Sequence, residues 1–264
     1  MNKLASFKQM HAQDEPLFLP NAWDILSAII MQQNGFKAIG TTSWGIANSL
    51  GYQDGERIQF AELLTIVNKI VSAVEIPVTV DVESGYSEDM DIVAKNILQL
   101  ANMGVVGINI EDSLKSKPSL RDKNAHCEQI EKIRNILNKN GYQEFFINAR
   151  TDTYLQLKNP LAETLERAVD YVSSGADGIF VPGLSQAEEI KQLTATIKAP
   201  LNIMSLPSLV DTKGLKELGV KRFSLGSSFS DATVAFIEEN TRILMAERST
   251  EKLYAGSKIS TLFR

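Results

Sequence analysis

The chain has 264 residues, 44% of them hydrophobic and 22% charged, with a net charge of −5. This composition excludes a disordered chain and supplies enough apolar surface for a sizeable core; the length allows one α/β barrel or two smaller domains. Acids and bases are interspersed with no basic stripe, residues 1–16 lack an apolar signal core, no stretch reaches the ~20 apolar residues of a membrane helix, and the lone Cys127 excludes an internal disulfide. A soluble protein of the reducing cytoplasm is expected, with neither nucleic acid nor membrane as partner.

In chain order, short apolar runs lie at Leu17 to Asn21, Lys37 to Thr41, Pro77 to Val82, Val105 to Ile110, Glu144 to Ala149, Gly178 to Val181, Leu201 to Met204 and Arg222 to Leu225. Each is followed by a helical pattern, the alternation that builds a parallel sheet. Runs such as VGINI and GIFV are unbroken rather than alternating, as expected of strands with barrel core on one side and helices on the other. Amphipathic stretches at Arg57 to Val74, Asp89 to Met103, Cys127 to Asn140, Leu161 to Ser174 and Ala187 to Ile197 supply an outer ring. Gly35, Gly104, Gly175 and Gly219 stand where a left-handed residue ends a helix before the next strand. Eight such units with no linker predict one TIM-type (β/α)8 barrel over residues 1–264. The tail from residue 231 to 264 exceeds one closing helix and is expected to reach a neighbouring subunit.

Barrel enzymes carry their reacting groups where strands end, and polar residues concentrate there in this chain. Asn21 and Asp24 follow the first run, Thr41 to Trp44 the second, Asp81 and Glu83 the third, Glu111 and Asp112 the fourth, and Arg150 with Asp152 the fifth. The later ends, Pro182-Gly183, Ser205 and Gly226-Ser227, are smaller and less charged. Asp81, Glu83 and Glu111 at adjacent mouths repel one another unless a cation or protons lie between them, and oxygen donors without histidine or thiol favour Mg²⁺, with Mn²⁺ possible. The competing reading has these acids capping helices or pairing with Arg150. Thr41, Thr42, Ser43 and Trp44 join a strand to a helix and can hold a substrate carboxylate or simply cap that helix. Arg150 emerges from an apolar strand and needs either a carboxylate of the protein or one of a substrate. Cys127 lies beside His126 at a helix start and reads as structural; neither His11 nor His126 follows a strand, which disfavours histidine catalysis.

The motifs Asn21-Ala-Trp-Asp24, Gly35-Phe36, Ser49-Leu-Gly-Tyr-Gln-Asp54, Asp81-Val-Glu-Ser-Gly-Tyr86, Asn109-Ile-Glu-Asp112 and Asn148-Ala-Arg150 resemble, in order, those of the isocitrate lyase/phosphoenolpyruvate mutase family. The resemblance runs from about residue 17 to the eighth strand. It implies a C-terminal helix exchanged between subunits of a dimer or tetramer and Mg²⁺ at the C-terminal mouth. Asp81 would ligate the metal directly, with Asp54, Glu83 and Glu111 holding its waters. Thr41, Thr42 and Ser43 would cradle the carboxylate of a small 2-oxo acid, and Arg150 would steady its enolate oxygen.

The loop after the fourth strand, residues 112–122, sets the reaction among family members, and here it departs from both main branches. Lyases carry a Lys-Lys-Cys-Gly-His segment there, whereas no cysteine or histidine lies between Glu111 and Lys123. Lys115 or Lys117 with Pro118-Ser119-Leu120 is similar to the mutase loop, but shorter and without its asparagine. After strand six, Val181-Pro182-Gly183-Leu184 replaces the lyases' glutamate and the mutases' histidine. The leading expectation is a Mg²⁺-dependent lyase that releases pyruvate or a related oxo acid. A phosphonate-forming mutase or carboxyphosphonate-type transferase, and a 2-oxo acid binding protein without turnover, are the alternatives.

Overall fold

The eight apolar runs pair into one parallel sheet that curls into a ring. In a computed structural model describing residues 2–115, 117 and 119–254, the elements run α1 (Lys3–Met10), β1 (Leu17–Leu19), β2 (Asn21–Ala22), α2 (Ile25–Gln33), β3 (Ile39–Thr41), α3 (Ser43–Ser49), α4 (Phe60–Ala73), β4 (Val78–Asp81), α5 (Met90–Asn102), β5 (Gly107–Glu111), α6 (Lys123–Lys139), β6 (Phe146–Arg150), α7 (Thr153–Gln156), α8 (Leu161–Ser173), β7 (Gly178–Phe180), α9 (Ala187–Thr196), β8 (Leu201–Met204), β9 (Arg222–Ser224), α10 (Ser228–Glu247) and α11 (Glu251–Tyr254). Neighbours follow the order β1-β9-β8-β7-β6-β5-β4-β3-β2.

The first predicted strand, Leu17 to Asn21, is in fact two segments broken at Pro20. Proline has no amide hydrogen to offer a ladder, so the strand changes partner there. β1 pairs with β9 through Leu17↔Arg222, and β2 pairs with β3 through Asn21↔Gly40. Because both segments belong to one continuous strand, that change of partner joins the two edges of the sheet. The barrel is therefore the expected one.

The helices match their apolar periodicity. Val93, Ile97 and Leu100 of α5 and Ile130, Ile133 and Leu137 of α6 are buried against Val80, Ile108 and Ile147 of the sheet, each such side chain contributing roughly 1.5–3 kcal/mol. The punctuating glycines do adopt left-handed backbone, with φ of 90° at Gly35, 91° at Gly104, 108° at Gly175 and 81° at Gly219. Two expectations need correction. Residues 205–221, between β8 and β9, form turns and one short antiparallel bridge (Leu206↔Leu209) in place of a helix, because Pro207 and Gly214 interrupt the segment. The barrel interior is also polar. Arg222 donates to Asn109 Oδ1 at 3.3 Å, Asn148 to the same oxygen at 2.9 Å, and Ser224 to Asn202 at 3.1 Å. The strands read as apolar because their outward residues are aliphatic, which hides the polar residues that alternate with them.

The floor of the barrel is apolar and sealed by α1. Phe7, Leu19, Ala38, Val106 and Phe146 form a separate cluster there. His11 stacks on Phe146 with centroids 4.1 Å apart, its Nδ1 2.9 Å from the Phe7 carbonyl. Gly107 and Gly178 are required beside this plug, since a Cβ at either would come within 2.9 Å of Phe146 side-chain atoms.

Of the long helix α10 only Ser230 is buried; Phe229, Val234, Phe236, Ile237 and Met245 are exposed. Residues 255–264 of the predicted tail lie outside the described residues. Among the described residues, no helix is long and apolar enough to cross a membrane.

Candidate active site

The C-terminal ends of β3 to β6 bring the predicted acids and the arginine into one place. The register Asp81↔Asn109 on β4 and β5, and Glu111↔Arg150 on β5 and β6, sets these side chains at the same rim. Arg150 Nη1 lies 3.1 Å from Glu111 Oε2 and 3.9 Å from Asp81 Oδ2. Its Nε and Nη2 grip Asp152 at 2.6 and 3.2 Å. The internal salt bridge weighed from the sequence is therefore present, and Arg150 still lines the cavity beside Asp81. Asp152 is itself held by Ser113 Oγ at 2.5 Å and, through its backbone N–H, by Asp112. Asp112 is fully buried and also accepts from Arg167 and Tyr171 of α8, so it anchors the base of the lid.

Lys115 reaches from the lid into the carboxylates, with its ammonium 2.7 Å from Glu83 and 2.6 Å from Glu111. Burial opposes its charge, but Glu111 and Glu83 outweigh that and raise its pKa. Burial likewise raises Asp81, to about 6, with Arg150 opposing, and Glu111 shifts upward for the same pair of reasons. Asp54 is raised by burial and then by Glu83. These acids are thus short of positive charge even with two cations among them. Lys117 lies exposed on the lid, away from the cavity lining, and Pro118 is outside the described residues.

Thr41 to Trp44 occupy the mouth as predicted, and each has a local task. Thr41 Oγ1 accepts the Asp81 N–H at 3.0 Å, Thr42 caps α3 by accepting from Gly45 at 3.3 Å, and Ser43 donates to Asp81 Oδ2 at 3.3 Å. Trp44 Nε1 donates to Asp231 at 2.8 Å. All four line a cavity of about 190 Å³ shared with Asn21, Asp54, Asp81, Asn109 and Arg150. A wider cleft of about 710 Å³ at the opposite end, around Met10, Pro16 and Phe36, contains none of these groups. Asp24 caps α2 in a capping box with Ser27, and Cys127 sits half-buried on α6 with its thiol pKa raised by burial, so both are structural.

The residue that sequence reasoning missed is Glu56. Its Oε1 accepts from Ser84 N–H at 2.9 Å, Ser84 Oγ at 2.7 Å and Tyr86 N–H at 2.9 Å, while its own N–H donates to Glu83 Oε1 at 2.9 Å. This reciprocal clasp ties the Asp54 loop to the loop after β4. Glu56, Glu83 and Tyr86 all hold left-handed backbone, with φ of 58°, 49° and 63°, a conformation that costs non-glycine residues free energy and concentrates at functional sites. Between them Gly85, at φ 109°, leaves no room for a Cβ, which would strike Val93 at 2.5 Å. The one available signal was an acid directly after Gly55, two positions from Asp54.

For a hard divalent cation the donor chemistry is right: four acids at one mouth, oxygen only, three of them (Asp54, Asp81 and Glu111) raised in pKa by burial. Among the described residues, however, no three His, Cys, Asp or Glu side chains are grouped so as to hold a metal ion, because Lys115 stands between Glu83 and Glu111. The residues therefore fit a cation with one direct carboxylate and the others acting through water, which magnesium favours, and they do not fit a closed all-protein cage.

The phosphoenolpyruvate phosphomutase family model matches residues 7–245. An uncharacterized protein of Mycobacterium tuberculosis is 40% identical over 223 residues, covering 84% of this chain and 82% of its own. An oxaloacetate decarboxylase of Pseudomonas fluorescens is 29% identical, covering 82% and 75%. Among solved structures, a candidate phosphonomutase from Burkholderia cenocepacia superposes with a TM-score of 0.88 at 36% identity, covering 92% of this chain and all of its own. A phosphonopyruvate hydrolase complexed with oxalate and Mg²⁺ shares the fold, with a TM-score of 0.87 at 19% identity over 98% and 92% of the chains. The motifs, the barrel and the family match agree, and the chain belongs to the phosphoenolpyruvate mutase/isocitrate lyase superfamily.

Proposed function

We propose that this protein is a Mg²⁺-dependent lyase that works through the enolate of a small 2-oxo acid. The observation that carries the reading is the meeting of Asp81, Asp54 and Arg150 with Thr41 to Ser43 in one cavity of about 190 Å³, with Glu83 and Glu111 directly behind it. Asp81 would hold the metal directly, and Asp54, Glu83 and Glu111 its waters. When bound, the metal supplies positive charge where the enolate oxygen develops. Thr41, Thr42 and Ser43 orient the carboxylate, and the Arg150 guanidinium, fixed by Asp152, donates to the oxyanion. Lys115 closes the carboxylate side against water.

The test is a panel of 2-hydroxy and 2-oxo acids, oxaloacetate among them, assayed for pyruvate or glyoxylate release with Mg²⁺. Product should form with the native protein and fall by at least about 100-fold in Asp81→Ala, as expected when a ligand rather than an outer partner is lost. Release equal to that of the metal-free control would overturn the reading. Lys115 at the carboxylates and Ser119-Leu120 in the lid favour one alternative, a phosphonate mutase. Phosphorus NMR with phosphonopyruvate decides, because the C–P signal must disappear if that reaction occurs.

The exposed apolar face of α10 supports the exchange of this helix with a neighbouring subunit in a dimer or tetramer. Light scattering should give a multiple of the monomer mass, and Phe236→Asp should shift it toward monomer.

A further inference from the structure

The mouth has two unlike halves. β3 to β6 contribute the acids and Arg150, whereas the ends of β7 and β8 contribute Phe180, Pro182 and Met204, joined by Leu155 of α7. Phe180 is almost fully buried and carries the Arg150 guanidinium 5.7 Å from its ring centroid. Met204 sulfur lies within 3.1 Å of where a Cβ on Gly226 would stand, so Gly226 leaves that side chain its place at the wall.

Among the described residues, the cations near the mouth are either paired with the protein's own acids or set away from the cavity lining. Arg150, among the described residues the one cation in the cavity lining, already meets Asp152, Glu111 and Asp81. The Lys115 ammonium is shared by Glu83 and Glu111. Arg222 has Nε and Nη1 without a partner, but it is fully buried in the barrel beneath Asn109, to which its Nη2 donates, and does not line the cavity. A substrate with one carboxylate can use Thr41 to Ser43 and Arg150, but a second carboxylate would find only Phe180, Pro182, Met204 and the neutral Asn21, Ser224 and Ser227, and would lose its hydration without a charged partner.

From this division we infer a substrate class: a 2-oxo acid with a single carboxylate and a short uncharged chain on C3, in preference to di- and tricarboxylates. The inference rests on the enolate reading above and sets the chain apart from relatives named for oxaloacetate. A cavity of about 190 Å³ is below the range of drug-sized sites and suits a molecule of a few carbons.

The pair 2-oxopentanoate and 2-oxoglutarate tests the effect, since they share one five-carbon chain and differ in a terminal methyl against a carboxylate, and 5-methyl-2-oxohexanoate, whose isopropyl end matches the carboxylate in size, separates charge from bulk. In D₂O with Mg²⁺, proton NMR follows exchange at C3: the C3–H proton leaves, its electron pair enters the enolate, and a deuteron from solvent returns to C3. Exchange of 2-oxobutanoate and 2-oxopentanoate should exceed that of 2-oxoglutarate by at least about 100-fold in kcat/KM, because a buried charge without a partner is rejected more strongly than a missing apolar contact. Met204→Lys supplies the missing cation and should narrow or invert the ratio. Equal or faster exchange of 2-oxoglutarate overturns the specificity and leaves the enolate reading standing. Exchange of neither compound above the Asp81→Ala background removes both.

Discussion

The two ends of this barrel solve opposite problems with the same strands. At the floor, Phe7, Leu19, Val106 and Phe146 form an apolar cluster, and the imidazole beside it, His11, is stacked on Phe146 and bonded to the Phe7 carbonyl. At the mouth, acids gather that burial drives toward protonation, and three non-glycine residues hold left-handed backbone. The contrast teaches that free energy gained in one layer of a barrel offsets frustration in another. Stability and chemistry can then be altered separately, as the mouth-and-floor division of such barrels implies.

The largest expected effect breaks the floor. Phe146→Ala removes a ring that is 1% exposed and should lower unfolding free energy by about 3–5 kcal/mol, as for other buried aromatics. Denaturant titration measures it, and turnover per folded molecule should be unchanged. A fall in turnover matching the loss of stability would show that floor and mouth are one cooperative unit.

A smaller effect is expected from the Glu56 clasp. Glu56→Ala leaves Ser84 and Tyr86 amides without their acceptor and should weaken Mn²⁺ binding, read by electron paramagnetic resonance, about 10- to 100-fold, the usual consequence of losing a partner behind a metal ligand. Glu56→Gln keeps an acceptor oxygen and should recover most of the affinity. If both variants bind Mn²⁺ like the native protein, the clasp serves loop stability alone.

The smallest effect concerns acid. Burial, then Arg222, lowers His11 from 6.5 to about 3, so the folded state binds its proton less readily than the unfolded chain does. That depressed value contributes stability that is complete above pH 6.5 and is lost as pH falls toward 3. His11→Phe should flatten this part of the stability–pH profile measured by thermal unfolding. An unchanged profile would assign the acid sensitivity to other groups.

The eight strands, the helix periodicity and the glycine stops were legible because each is a local pattern read within a dozen residues. The break at Pro20 was visible as a proline, but its consequence, a change of pairing partner, depends on strands 20 and 200 residues away. The absent helix between β8 and β9 was obscured by short helix-favouring segments that Pro207 and Gly214 prevent from joining. The polar barrel interior escaped notice for a related reason: Asn109 and Arg222 sit among aliphatic neighbours, and only closure of the sheet turns them toward one another.

By itself the sequence determined the fold class, the family and the place of Asp81, Glu111 and Arg150 at strand ends, since covalent order puts each of these charged residues within one position of the end of an apolar run. Only the tertiary structure decided which charges meet. Lys115 crosses from the lid to Glu83 and Glu111, Asp152 rather than a ligand takes two arms of Arg150, and Glu56 closes on a loop 28 residues onward. Side-chain pairing is set by distances across the barrel that no local pattern encodes. The uncharged wall of Phe180, Pro182 and Met204 opposite those charges has the same origin.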